Sequence, residues 1–342
     1  MQAWGWLYGW AATALFAGIL SFVASSVAAA MASNAGMVIE PGRRQSHSIA
    51  TPTGGGLGLV LAIVATSFYL QASLALPAFW WVGMFPGILL LGAVGWLDDS
   101  RHVSAWLRLL VQLAVSIWLL ASVSLQFYEG GMVTPIISVV AMVWYMNLYN
   151  FMDGSNGMAA FQGAFAGLVM AALFGINDQA PAALLALVVA AACAGFLPLN
   201  FPNARVFMGD VASVPLGFMF AALSLYGVGQ GTFGWPVAIL VMAVFIVDAS
   251  LTLLSRVIRR ERWYTAHAQH VYQRLIGHGW SHRKVLVVYQ AINVAIVLPA
   301  VVLAAKNPNN AALTAGLTFV LLGACWYFAN RRLGMLAEVQ EK

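Results

Sequence analysis

An all-α bundle of about eleven transmembrane helices is the fold class this sequence predicts, and three observations predict it. The chain has 342 residues, of which 62% are hydrophobic and 8% charged, with a mean hydropathy of +0.84. That apolar share is far above that of a soluble domain. Second, apolar runs of about 20 residues, the length that crosses a bilayer as helix, recur eleven times along the chain. Third, the basic residues are segregated. With the N-terminus placed outside, the inner loops are 31–54, 98–105, 150–157, 200–210, 256–284 and 330–342. Those loops, with Arg108 just inside the fourth run, hold fifteen of the sixteen Lys and Arg residues, and only Lys306 falls outside. Such asymmetry is the positive-inside pattern of a membrane protein.

In order, the runs cover 6–30, 55–74, 79–97, 106–125, 132–149, 158–175, 182–199, 211–228, 235–255, 285–305 and 311–329. Each is continuously apolar with no period of two, which selects helices over barrel strands. Residues 1–5 carry no Lys or Arg side chain and the first run is long, so it reads as a retained span and not a cleaved signal peptide. The expectation is one integral membrane domain over 1–342, with the N-terminus periplasmic and the C-terminus cytoplasmic. Cys193 and Cys325 both lie inside runs, so no disulfide framework is implied. The net charge of +5 follows from topology, and no nucleic-acid binding is read from it. Outer connections are short and leave no extracellular domain to carry function.

The acids then locate the chemistry. Of eleven Asp and Glu residues only Glu129 and Asp178 are outside, while Asp98, Asp99, Asp153 and Asp210 sit at the inner ends of different runs. Ionisable groups at the boundary of so apolar a chain are functional candidates. The adjacent pair Asp98 and Asp99 suits Mg²⁺, a hard ion that takes oxygen ligands and shares its shell with substrate phosphates. Ahead of the second run stand Thr51, Pro52, Thr53, Gly54, Gly55 and Gly56, at the end of a basic loop. Glycines before a helix let backbone amides approach an anion, or serve only as a flexible turn. The stretch is not a P-loop, because the Gly-Lys-Ser/Thr ending is absent.

Asn147, Asn150 and Asp153 recur every three residues and place amides and an acid along one side of a helix end, before the turn at Gly154 and Gly157. Unpaired amides near lipid are costly, so this ridge suits a polar ligand. Gly209 sets Asp210 at the start of the next run, and Arg205 is near enough to contact phosphate oxygens. In the long inner loop, His267, His270 and Arg274 share one face if that segment is helical, and such a trio can grip a pyrophosphate. Zinc is the rival reading there, but no cysteine or convincing third ligand is nearby. Arg256, Arg259, Arg260 and Arg262 read as topology determinants and lipid-headgroup contacts.

Taken together and in this order, the five stretches resemble those of the polyprenyl-phosphate N-acetylhexosamine-1-phosphate transferases (glycosyltransferase family 4). The family's Thr-Pro-x-Gly-Gly loop, Asp-Asp pair, Asn-x-x-Asn-x-x-Asp-Gly, Phe-x-Gly-Asp and His-rich loop match residues 51–55, 98–99, 147–154, 207–210 and 267–274. The resemblance runs from about residue 40 to 285, and the His-x-x-His-x-Tyr-Gln-Arg form looks most like the subgroup that initiates O-antigen or surface-polysaccharide units. It implies a bacterial inner-membrane bundle with a cytoplasmic site that moves a sugar 1-phosphate from a UDP-sugar to undecaprenyl phosphate and releases UMP. Asp98, Asp99 and Asp210 would be the catalytic, Mg²⁺-linked carboxylates, with Mn²⁺ as a substitute ion. Thr51, Pro52, Gly54, Gly55, Asn147, Asn150, Asp153, Asn156, Arg205, His267, His270 and Arg274 would contact substrates. Asn156 and Ala212 depart from the family pattern, which more often has an acid and a glycine there.

Under that resemblance the adjacent pair Asp98 and Asp99 has a purpose. Donor pyrophosphate and acceptor phosphate repel, and a cation held by Asp98 and Asp99 would screen them and stabilise departing UMP. The rival readings are phospho-N-acetylmuramoyl-pentapeptide transfer within the same family and a cation-coupled transporter outside it. Transporter acids lie near the midplane on broken helices, and only Asp248 is so placed. The sugar, the choice between direct displacement and a covalent intermediate, and oligomerisation are open at this level.

Overall fold

The computed structural model of the protein describes residues 2–40, 50–74, 77–122, 133–262 and 267–340. Its elements are α1 (Gln2–Asn34), β1 (Val38–Ile39), β2 (Thr51–Pro52), α2 (Gly56–Leu74), α3 (Phe85–Arg101), α4 (Ala105–Ala121) and α5 (Val133–Phe151). They continue as α6 (Met158–Gly175), α7 (Ala180–Asn200), α8 (Asp210–Gly229), α9 (Trp235–Leu240), α10 (Ala243–Ile258), α11 (Val271–Gly277), α12 (His282–Ile292), α13 (Leu298–Lys306) and α14 (Ala311–Gln340). Each of the eleven apolar runs carries a helix. Among the described residues, eight helical segments are long and apolar enough to cross a membrane, while 56–71 and 105–121 are shorter apolar helices.

At the centre stands α8. Its sequence is apolar on every face, the pattern of a helix surrounded by protein, and 94% of its apolar window is buried against 22% for α1 and for the last segment. It packs on α2, α3, α5 and α9, while α1 pairs with α2 and α7, and α6 with α7. Asp210, the first residue of α8, therefore opens at the mouth of the best-packed part of the bundle.

Three expectations are corrected. The run 235–255 is not one helix: it is divided into α9 and α10. There, Gln162 of α6 donates from Nε2 to the Val241 carbonyl at 3.3 Å, and a side chain competing for the helical ladder is a known cause of such breaks. The Oε1 of the same Gln162 accepts from Asn293 Nδ2 at 2.7 Å, where α12 passes through a π-helical turn (Asn293–Val297). Secondly, the bundle is not purely α. The short strands β1 and β2 pair antiparallel, with Val38 opposite Pro52 and Ile39 opposite Thr51, because a residue before proline is biased to extended backbone. Thirdly, His267 and His270 are not on a helix: α11 begins only at Val271, with His270 as its N-cap residue.

Candidate active site

The site is assembled where α3 ends against the start of α8. Gly95 allows it: a Cβ there would stand 2.4 Å from the Asp210 carbonyl oxygen, so the helices could not approach so closely with any other residue. Asp98 and Asp99 follow within one turn. Asp99 Oδ1 accepts the Asp210 backbone N–H at 3.1 Å and its Oδ2 accepts that of Val211 at 3.3 Å. A carboxylate thus satisfies the open amides and the positive end of α8.

Asp98 faces the other way. Its Oδ1 accepts the Val103 N–H at 2.6 Å and its Oδ2 accepts from Arg108 Nη1 at 2.6 Å. The same Nη1 donates to Asp210 Oδ2 at 3.0 Å, so one guanidinium bridges two carboxylates from distant parts of the chain. The remaining oxygen of Asp210 accepts from Asn150 Nδ2 at 2.6 Å, and Asn150 also reaches Ser213 Oγ at 3.0 Å. Asp98 and Asp210 keep 14% and 21% of their side-chain surface and Arg108 keeps 37%, so the bridge faces a solvent-open mouth. Asp153, in the turn after α5, completes the acidic group. Burial first, and then the charges of Asp210 and Asp99, hold its carboxyl well above the usual range, while the Gly209 N–H opposes them.

The Thr-Pro-Thr-Gly-Gly-Gly stretch does something other than cradle an anion. The amides of Gly55 and Gly56 donate to the carbonyls of Phe207 and Met208, both at 3.0 Å, and Phe207 N–H returns a bond to the Pro52 carbonyl at 2.8 Å. A Cβ on Gly55 would meet Val206 at 2.4 Å. The glycines therefore let this loop lie directly on the Phe-x-Gly-Asp segment, and their amides are consumed there. Thr51 is buried in β2. Gly54 has a left-handed φ of 87° beside Trp96. The basic part of that loop, with Arg43 and Arg44, lies outside the described residues.

Other predicted residues divide. Asn147 donates from Nδ2 to Gln112 Oε1 of α4 and to its own helix at Val143 O, both at 2.7 Å. Asn156 is buried and donates to the Pro202 carbonyl at 3.0 Å. Arg205 Nη2 donates to Pro198 O at 2.8 Å, near the end of α7. Arg274 donates to Asn330 Oδ1 of α14 at 2.6 Å. These four are tied to the scaffold, and the expected shared face of His267, His270 and Arg274 does not form, because Arg274 alone of the three is helical.

His267 and His270 stay together, with ring centroids 5.0 Å apart. His267 Nδ1 accepts the Gln269 N–H at 3.4 Å, so a neutral ring carries its proton on Nε2. Burial, with His270 and Arg256 nearby, pushes its pKa down to about 4, and burial likewise lowers that of His270. The loop joins the carboxylate group through Tyr272, whose hydroxyl donates to the Phe151 carbonyl at 2.8 Å.

Sequence reasoning missed Arg108, Tyr272 and Gln112 as parts of this architecture. Arg108 had a signal, being the lone cation inside an apolar run ten residues after Asp98. Tyr272 had one only as part of the His-x-x-His-x-Tyr-Gln-Arg form, and Gln112 had none that distinguishes it from packing.

A helical membrane bundle with an acidic, amide-lined site at one end of its spans is the class of protein that this fold and site define. The sequence model described as Glycosyl transferase family 4 matches residues 81–228. A probable undecaprenyl-phosphate N-acetylglucosaminyl 1-phosphate transferase of Bacillus subtilis is 30% identical over 286 residues, covering 78% of this chain and 77% of its own. A decaprenyl-phosphate N-acetylglucosaminephosphotransferase of Mycobacterium tuberculosis is 31% identical over 314 residues, covering 80% and 77%. A phospho-N-acetylmuramoyl-pentapeptide-transferase of a Synechococcus species is 31% identical over 235 residues, covering 60% and 65%. The chain belongs to this family, the polyprenyl-phosphate N-acetylhexosamine-1-phosphate transferases.

Proposed function

We propose that the protein transfers an N-acetylhexosamine 1-phosphate, N-acetylglucosamine 1-phosphate first among the candidates, from its UDP-sugar to undecaprenyl phosphate at the cytoplasmic face of the bacterial inner membrane. The observation that carries this is the Arg108 bridge between Asp98 and Asp210, 2.6 and 3.0 Å long, beside Asn150 and Asp153. The product would be a lipid-linked sugar diphosphate that starts a surface polysaccharide such as O-antigen. Eleven passes, with the N-terminus outside and the C-terminus inside, would place every one of these acids on the cytoplasmic side. The relatives named for N-acetylglucosamine align over more of this chain than the muramoyl-pentapeptide relative does, which supports the smaller sugar.

The donor set suits Mg²⁺, since all its members are hard carboxylate oxygens. Among the described residues no three His, Cys, Asp or Glu side chains surround one point, but Mg²⁺ ordinarily takes one or two carboxylates and completes its shell with phosphates and water. Asp98 and Asp210 already share one cation, the guanidinium, and would hold Mg²⁺, with Asp99 behind them. When bound, the ion supplies charge neutralisation of the donor pyrophosphate and of departing UMP.

The chain's own residues do the rest. Arg108 is placed to turn from the carboxylates to phosphate oxygens, and Asn150 fixes Asp210. Asp99 pins the start of α8 and so the register of the whole group. An acceptor phosphate oxygen forms a bond to the donor phosphorus that carries the sugar. The bond from that phosphorus to the bridging oxygen of UMP breaks, and UMP leaves with the electron pair. The attacking oxygen is already an anion, so no general base is required. The test is transfer of label from a panel of UDP-N-acetylhexosamines and UDP-N-acetylmuramoyl-pentapeptide into undecaprenyl phosphate. Label in the lipid fraction with an N-acetylhexosamine, abolished by EDTA, is expected. Label only from the pentapeptide donor, or none from folded protein, would contradict the proposal.

A further inference from the structure

Asp248 lies outside the carboxylate group and is assigned nothing by the mechanism above. It is 3% exposed, in the interior of α10. Its carboxylate is nonetheless surrounded by donors, one from its own helix and two from α11 and α12. Oδ1 accepts the Val271 backbone N–H at 3.0 Å and Thr252 Oγ1 at 3.2 Å, and Oδ2 accepts the Tyr289 hydroxyl at 2.6 Å. The first of these places a negative charge on the N-terminus of α11, whose N-cap is His270. The second and third hold the carboxylate from α10 and α12.

His270 is the residue with something to gain. Its ring is 2% exposed, and its Nδ1 is buried with no hydrogen bond among the described residues. The acceptor that Nδ1 faces is Asp248 Oδ1, 3.9 Å away. On its other sides the ring stacks on Tyr272 and Phe151, at centroid distances of 5.9 and 6.1 Å, and His267 is its neighbour. Tyr272 in turn bonds the carbonyl of Phe151, the last residue of α5, just ahead of the turn that bears Asp153. Contacts therefore run from Asp248 through His270 and Tyr272 to the end of α5, two residues before Asp153.

We propose that Asp248 is the positioning residue of the His loop: it anchors the start of α11 and sets the His270 tautomer, so that the ring presents one defined acceptor, Nε2, to the nucleotide sugar. A carboxylate can only accept, so the nitrogen facing it carries the proton and Nε2 is left as the ring's outward acceptor. A separation of 3.9 Å is long for a hydrogen bond, and contacts of this kind close when substrate fills the site. Loss of the carboxylate would release both α11 and the ring. The inference about donor binding rests on the transferase reading, whereas the tautomer does not.

The experiment is done on the full chain in detergent or lipid nanodiscs. First, ¹⁵N-histidine spectra of the wild type at neutral pH, assigned with His270→Gln, are expected to show His270 protonated at Nδ1. Protonation at Nε2 would overturn the proposal whatever the variants do. Second, KM for the UDP-sugar and kcat are measured in Asp248→Ala and Asp248→Asn. The alanine variant is expected to raise KM about ten-fold with a smaller change in kcat, the scale of losing an outer-shell orienting group. The asparagine, whose Oδ1 still accepts the Val271 N–H, is expected to recover most of that loss. Unchanged KM in folded Asp248→Ala would overturn the proposal. No activity in the wild type, with the Nδ1-protonated ring still observed, would instead count against the transferase reading alone.

Discussion

At the scale of single residues, the structure separates acids that meet a cation from acids that hold the scaffold. Asp98 and Asp210 share Arg108, and Asp99 spends both oxygens on the backbone of α8. Arg108→Met is therefore expected to lower activity on the order of 10²-fold, the cost of removing an aimed charge. Its melting temperature should move little, because the side chain is 37% exposed and exposed pairs contribute about 0–1 kcal/mol. Steady-state UMP release and thermal unfolding check the two halves. A second expectation concerns pH. His267 titrates at about 4 when folded against 6.5 when free, so between those values the unfolded chain binds more protons and stability falls as pH falls. Half-exposure screens the effect, so only its direction is predicted. The wild type should lose more melting temperature than His267→Gln on acidification through that window, and equal losses would contradict it. The acids were legible in the sequence because charge is scarce in this chain and its position is informative. The partners of Arg274 and Asn156 were not, since each lies far along the sequence, and that of Arg205 was not because it is a backbone carbonyl, which every residue carries.

Among the elements, close approach is the deciding feature. The contact between α3 and α8 depends on Gly95, where an added methyl would meet the Asp210 carbonyl at 2.4 Å. Gly95→Ala should destabilise by about 1–3 kcal/mol through overpacking and displace Asp98 from Asp210, which thermal unfolding and UMP release would both report. Gly92→Ala, on the same helix, has its nearest neighbour at 3.5 Å and should behave as wild type. Equal behaviour of the two variants would contradict this account of the packing. That each apolar run carries a helix was readable from composition because lipid leaves a spanning chain few alternatives. The division of α9 from α10 was not, because its cause is Gln162, which reaches Val241 from another helix. The pairing of the glycine loop with Phe207 and Met208 was equally hidden, since the same glycines serve an anion site or a close backbone contact.

For the whole molecule, the central claim is that the bundle gathers carboxylates from three separate inner loops at one end of its spans. A transporter would set them at mid-depth, and the one acid so placed, Asp248, is engaged by Tyr289 and the start of α11. The orientation proposed from the charge asymmetry is testable directly. After replacement of Cys193 and Cys325, Asn307→Cys should react with an impermeant thiol reagent in intact cells, and Arg260→Cys only once the membrane is opened. Reaction of both from outside would contradict the positive-inside reading. The measurement that bears most directly on the central claim is UMP release against Mg²⁺ concentration in the wild type, Asp98→Asn and Asp210→Asn, with undecaprenyl phosphate and UDP-N-acetylglucosamine. Mg²⁺-dependent release in the wild type, with each variant needing far more ion or losing turnover, is predicted. Release that is indifferent to Mg²⁺, or variants with the wild-type ion dependence, would contradict a cation site shared by Asp98 and Asp210.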